Sequence, residues 1–177
     1  MNKQQLAAKI WASANNMRSK IEANEYKDYI LGFIFYKFLS EREEQLLKKE
    51  HWSEEDLKDL IDEGVDPSIK TLNPSEYNSL SADKKEHLET VKHCQEKLGY
   101  FISYDNLFST WLRKGQEKTF DVANVSDALN AFTRLIYKTH KKVFTGIVDT
   151  LQKGLDKLGD SSGSRTKAIS ALLELIK

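Results

Sequence analysis

The sequence predicts a mainly α protein, a multi-helix bundle around one central hydrophobic helix at about residues 25–49. Three observations predict it. Breakers are scarce, because 177 residues hold only two prolines, Pro67 and Pro74, and eight glycines, and a proline inside a helix costs about 3 kcal/mol. Apolar residues recur at steps of three and four, the spacing that lines one face of a helix. The stretch EYKDYILGFIFYKFLSERE, residues 25–43, is apolar from Ile30 to Tyr36. No breaker but Gly32 follows until Trp52, far beyond the length of a strand.

The elements follow in order. Leu6, Ile10, Ala14, Met17 and Ile21 form one stripe, which predicts an amphipathic helix from about Lys3 to Ala23. Asn24 reads as the N-cap of the central helix, with Glu25 and Asp28 favourable in its first turn. That helix is apolar all round in its middle and charged at its C-terminal end, the pattern of a buried pillar. Gly32 costs about 1 kcal/mol relative to alanine there, and its use is to let a neighbouring helix come close. Ser53 before EED reads as a capped start and Gly64 as a stop. Asn73 and Pro74 read as N-cap and first helical position. Ser81 opens a helix with Leu88, Val91, Gln95 and Leu98 on one face and Gly99 past its end. YFISYDNLFSTWLRKG predicts an extended piece, then a short helix from Asp105 to Arg113 stopped by Gly115. Ser126 reads as the cap of a helix bearing Leu129, Phe132 and Ile136. Ile147, Leu151, Leu155 and Leu158 make another stripe. GDSSGS, residues 159–164, is the clearest loop, and Ser164 caps a last helix carrying Ile169, Leu172, Leu173 and Ile176. Neither an internal repeat nor a strong boundary divides the chain, so 1–177 reads as one helical domain.

Composition is that of an ordinary globular protein, 40% hydrophobic and 31% charged. One cysteine, Cys94, permits no internal disulfide and fits a reducing compartment. With no signal core and no apolar run of about 20 residues, the expectation is a soluble, cytoplasmic protein that does not use a membrane. Net charge is zero, from 27 basic and 27 acidic residues, which argues against gripping nucleic acid through bulk charge. The charge is uneven, however. Residues 51–70 carry seven acids against two lysines, net −5, and residues 99–145 carry seven bases against four acids, net +3. The asymmetry could orient a partner, or it could be two solvated faces.

No convincing active site stands in these residues. The histidines are His51, His87, His93 and His140. His87 and Cys94 share a helix face, but two ligands without a third make no zinc site. A nucleophilic Cys94 needs a base that the sequence does not place. NPSEY at 73–77 resembles part of the Asn-Pro-Pro-aromatic motif that holds a flipped base in amino-group DNA methyltransferases. Ser75 replaces the second proline and no aromatic follows in register, so a helix start is the better reading. No glycine-rich cofactor loop follows a predicted strand. Basic clusters remain as candidate phosphate contacts: Lys138, His140, Lys141 and Lys142 in YKTHKKVF, Arg113 and Lys114 in WLRKG, and Lys48 with Lys49. Against that stands the plain alternative that lysines near helix ends complement the dipole. Of the aromatic residues, Trp11, Phe33 and Phe38 read as core. Tyr26 and Tyr36 read as more open, because a tyrosine tolerates a wet interface edge.

The N-terminal third carries a resemblance. LAAKIWASANNMRSKIEANEYKDYILGFIFYKFLSERE resembles the N-terminal helical domain of the modification (M) subunit of type I restriction–modification systems. Leu6-Ala7, Ile10-Trp11, Met17-Arg18, Glu25-Tyr26-Lys27, Ile30-Leu31 and Phe38-Leu39 match the family pattern. LGYFIS at 98–103, KVFTGI at 142–147 and the closing SRTKAISALLELI are looser matches, and Ser103-Tyr104 departs where relatives often have proline. The resemblance implies an accessory domain that is not itself catalytic. It implies a downstream catalytic domain, absent from these residues, that binds S-adenosylmethionine and methylates adenine N6. It implies a complex with a specificity subunit, a second M subunit and restriction subunits, closed over double-stranded DNA. No cofactor is expected in this chain, and Tyr26, Lys27, Tyr36 and Arg42 become interface candidates. The alternative is a helical protein–protein adaptor with no nucleic-acid role, and an enzyme built on Cys94 ranks behind both.

Overall fold

A computed structural model describes residues 2–8, 11, 23–62, 74–158 and 161–177. Residues 3–8 are helical. Seven further helices follow among the described residues: α1 (Ala23–Lys49), α2 (Pro74–Asn78), α3 (Ala82–Leu98), α4 (Phe108–Gln116), α5 (Val122–Leu135), α6 (Lys141–Leu155) and α7 (Ser162–Ile176). Short 3₁₀ turns lie at Asp56–Asp59, Tyr104–Asn106, Lys138–His140 and Asp156–Leu158. No strand occurs among the described residues, so the protein is a mainly α bundle.

Helix α1 is the central pillar, and it meets its neighbours in two ways. Its face bearing Tyr29, Gly32 and Phe35 runs antiparallel to α6. A Cβ on Gly32 would lie 2.6 Å from Leu151 Cδ2, and one on Gly154 would lie 0.5 Å from the Tyr29 hydroxyl. The absence of side chains at these two positions is what lets the helices approach. The Phe35 and Phe144 rings continue the seam, with centroids 6.0 Å apart. The other face holds the segment after Gly99. Tyr36 stacks on Trp111 at 4.7 Å and 7°, and Phe132, Tyr100 and Phe144 extend the aromatic cluster.

Several helix boundaries fall where different caps win. Ser81 accepts from the Lys84 N–H, and Gly99 takes φ 92° past the end of α3, as the sequence predicts. Pro74 opens α2, while Gly64 and Asn73 lie outside the described residues. Asn24 sits inside α1 rather than capping it, since Ala23 is already helical. Ser53 exchanges hydrogen bonds with Asp56, but the turn it caps is 3₁₀. Gly115 does not end α4; the chain turns at Lys118, φ 60°, where the Thr119 and Phe120 N–H groups both return to the Lys114 carbonyl. Ser126 lies a turn inside α5, because Asp121 and Asn124 form the capping box. Ser161 rather than Ser164 caps α7, and Ser164 is its reciprocal partner, so helix begins within the expected loop.

Two core expectations fail. Phe38 is 55% exposed and Trp11 67% exposed, while Phe33 is buried. The pillar is therefore not covered all round. Asp28, Leu31 and Phe38 are exposed on the side of α1 beside α6. The rest of the Leu6 stripe lies outside the described residues.

Candidate functional site

The basic residues divide according to which helix end they occupy. Lys48 and Lys49 sit in the last turn of α1, and Arg113 and Lys114 in the last turn of α4. There a positive charge offsets the negative end of the helix dipole. Lys48 also pairs with Glu54 at 2.5 Å. Arg113 lies over the Tyr104 ring, 4.9 Å from its centroid, and donates to Thr110 Oγ1 at 3.2 Å. These four have a local structural explanation.

Lys141 and Lys142 have the opposite placement. They open α6, whose first turn carries no acid, so their charges add to the positive dipole end instead of offsetting it. Both are exposed. No ion pair to either is formed among the described residues. The turn Lys138–His140 immediately precedes them. His140 fixes that turn from below. Its ring lies parallel to Phe144 at 6.3 Å and covers Gly99, where a Cβ would come within 2.7 Å of the imidazole. Its Nδ1 lies 2.9 Å from Thr139 Oγ1, and the Tyr137 N–H donates to the Gly99 carbonyl at 2.8 Å. The result is a local concentration of cations on a helix N-terminus, whose positive dipole end also favours anions.

The interface candidates separate. Tyr36 is only 3% exposed and donates to the Asn106 carbonyl at 2.7 Å, so it offers no ring to a partner. Its hydroxyl is held well above the usual tyrosine range, chiefly by burial and then by Glu43. Arg42 is exposed, one helical turn beyond Phe38. The antiparallel register of α1 and α6 brings it to the same end as Lys141 and Lys142. Tyr26 and Lys27 lie in α1, but their side chains fall outside the described part.

Two titratable groups, Cys94 and Glu43, are buried. Cys94 is buried, and burial followed by Glu43 and Glu50 raises its thiol far from thiolate chemistry. Glu43 is fully buried; burial is the main reason its carboxyl is raised well above the carboxylate range, with the Ile102 N–H opposing. It accepts that N–H through Oε1 at 2.8 Å, while Oε2 has no hydrogen-bond partner. An open cleft of about 640 Å³ is lined by Glu50, Asp56, Asp59, Asp83 and Glu86 with His51 and His87, and this gathers part of the acidic stretch. No cluster of ligands fit for a metal is found among the described residues, and no helix there is long and apolar enough to cross a membrane.

One feature was missed from sequence. Leu31, Phe35, Phe38, Val143 and Ile147 line a groove of about 710 Å³ between α1 and α6. The apolar run at 30–39 was legible, but not which of its residues stay uncovered.

The fold and this geometry define a helical module with a cationic turn and an open apolar groove. Comparison with known proteins gives the family of this module. The model of the HsdM N-terminal domain family matches residues 6–176. The type I restriction enzyme MpnII methylase subunit of Mycoplasma pneumoniae is 26% identical over 176 residues, which are 95% of this chain and 29% of that protein. The solved methyltransferase subunit of a type I restriction–modification system from Streptococcus thermophilus superposes with a TM-score of 0.68 at 20% identity, over 99% of this chain and 34% of that one. This chain belongs to the HsdM N-terminal domain family. It spans about a third of the length of these relatives.

Proposed function

We propose that the chain is the accessory N-terminal domain of a type I DNA adenine-N6 methyltransferase subunit. It helps the subunit assemble with its specificity subunit and enclose double-stranded DNA, and it performs no chemistry itself. S-adenosylmethionine binding and methyl transfer then belong to the rest of a longer protein. That protein works in the cytoplasm, beside a second M subunit and the restriction subunits. Family membership supports this reading. The observation that carries the DNA role is the placement of Lys141 and Lys142 on the N-terminus of α6. Lysines that merely capped a helix would sit at the other end. A cationic turn that adds to the dipole has a use where a phosphate passes.

The test is salt dependence of DNA binding by the full-length subunit in its complex. Each phosphate contact contributes about −0.9 to the slope of log K against log salt. Changing Lys138, Lys141 and Lys142 to alanine should flatten the slope by about two to three. An unchanged slope would remove this turn from the DNA path and favour the adaptor reading.

A further inference from the structure

The end of α3 grips the linker between α5 and α6 in three places. Where α5 stops, the Leu135 carbonyl accepts from Gln95 Nε2 at 2.9 Å. Two residues on, the Tyr137 N–H donates to the Gly99 carbonyl at 2.8 Å. At the far end the His140 imidazole lies against Gly99, where an added Cβ would come within 2.7 Å of Cγ and 2.9 Å of Nδ1. Helix α3 is already capped without these contacts, because Gly99 takes φ 92° and its own N–H returns to the Gln95 carbonyl. Gln95 is buried, and a buried amide is costly unless it is bonded. Here it is spent on a helix-end carbonyl that α5 cannot satisfy for itself.

The grip reaches the lysines by a short route, since His140 directly precedes Lys141. A contact at Cγ is not relieved by turning the ring about χ2, because Cγ lies on that axis. Only χ1 or the backbone can move it. The ring is held by its parallel lie on Phe144, with centroids 6.3 Å apart, and by Thr139 Oγ1 at 2.9 Å from Nδ1. Phe144 in turn stands edge-on to Tyr100 at 5.8 Å, and the Tyr100 hydroxyl donates to the Leu39 carbonyl of α1. A side chain at position 99 would therefore push on the backbone where α6 begins. Exposed lysines on a loose linker must be ordered at binding, at a cost in conformational entropy, whereas a seated turn is ordered on folding. We infer that the end of α3, through Gln95 and Gly99, positions the cationic turn and so fixes where Lys141 and Lys142 meet a DNA phosphate. This positioning role rests on the DNA reading proposed above.

The experiment titrates the full-length subunit, assembled in its complex, with a mixed-sequence DNA duplex over a range of salt. Wild type is compared with Gly99→Ala, with Lys141→Ala/Lys142→Ala and with all three changes together. Loss of both lysines flattens the slope of log K against log salt by about two. Gly99→Ala is expected to weaken binding roughly tenfold and to flatten the slope by about one or more. Once the lysines are gone, the same change should cost less than about twofold. Gln95→Met keeps the volume and removes the Nε2 donor. It is the milder variant, expected to weaken binding about threefold by the same route. Thermal melts set an assay temperature at which every chain is folded. Hydrogen exchange reads position directly: in Gly99→Ala the Tyr137 and His140 amides should exchange faster, while the middle of α6 keeps its wild-type rates. If both variants cost the same factor with and without the lysines, they act on the fold and not through the turn, and the positioning role falls. It falls too if neither variant weakens binding, and the DNA reading then stands on its lysines alone. An unchanged slope in Lys141→Ala/Lys142→Ala would bring down the DNA reading and the positioning role together.

Discussion

The two faces of α1 are held by different physics. Towards α6 the contact is set by shape: Gly32 receives Leu151, and Gly154 receives Tyr29. Towards residues 100–109 it is polar. Ser40 Oγ accepts the Phe108 N–H at 2.8 Å, Glu43 accepts the Ile102 N–H, Tyr36 donates to Asn106, and Tyr100 donates to the Leu39 carbonyl at 2.8 Å. The difference follows from what each neighbour can satisfy for itself. A helix closes its own backbone hydrogen bonds and needs only shape from its partner. An irregular segment buried against the pillar brings unsatisfied amides, and the pillar must supply acceptors. Ser103, with φ −70° and ψ 159°, already has the φ of a proline, so that departure from the family pattern leaves the extended path intact.

This contrast can be broken on either side. Gly154→Ala should cost the most, about 3 kcal/mol, because the new methyl overlaps the Tyr29 hydroxyl and the packed seam must open. Urea unfolding measures it, and a loss below about 1 kcal/mol would show that the seam is loose. Glu43→Ala comes next at about 2 kcal/mol, since it strands the Ile102 amide in the core.

Glu43→Gln sharpens the point, because it keeps an acceptor and removes the acid. The folded carboxyl titrates above its unfolded value, so the folded state holds a proton that the unfolded state releases. Wild-type stability from this group is therefore complete below the unfolded pKa of about 4.3. It falls as pH rises from there through the raised folded value. The Gln variant should lack that decline. If both proteins trace the same curve of unfolding free energy against pH, the carboxyl is not protonated in the fold. The smallest effect is expected at the cationic turn. Lys141→Ala/Lys142→Ala should raise stability by a few tenths of a kcal/mol, because it relieves charge at the positive dipole end, and a calorimetric melt would detect a fall instead.

What the sequence disclosed follows the same division. Helix α1, the Ser81 and Gly99 boundaries and the close approach at Gly32 were legible, because spacing, caps and glycine act locally. The polar pins were not, since Ser40 and Phe108 are 68 residues apart and nothing near either names the other. Caps failed where several candidates competed. Asp121 and Ser126, or Ser161 and Ser164, are equally good capping chemistry, and the extended residue that precedes the helix decides. Phe38 failed because a helical pattern counts apolar residues but not neighbours. The basic residues were all visible as candidates. Only the helix direction at Lys141 distinguishes those with a local explanation from those without one.

The pinned segment also sets how this region trades protons with solvent. Ile102 lies outside any helix, and Phe108 is the first residue of α4, whose N–H has no partner within the helix; such amides ordinarily exchange quickly. Theirs are buried against Glu43 and Ser40, on the pillar that the whole bundle surrounds. Exposing them requires lifting residues 100–109 off α1, which opens the aromatic core around Trp111. Their exchange should therefore report global opening, at rates matching the slowest amides of α1 and not those of a loop.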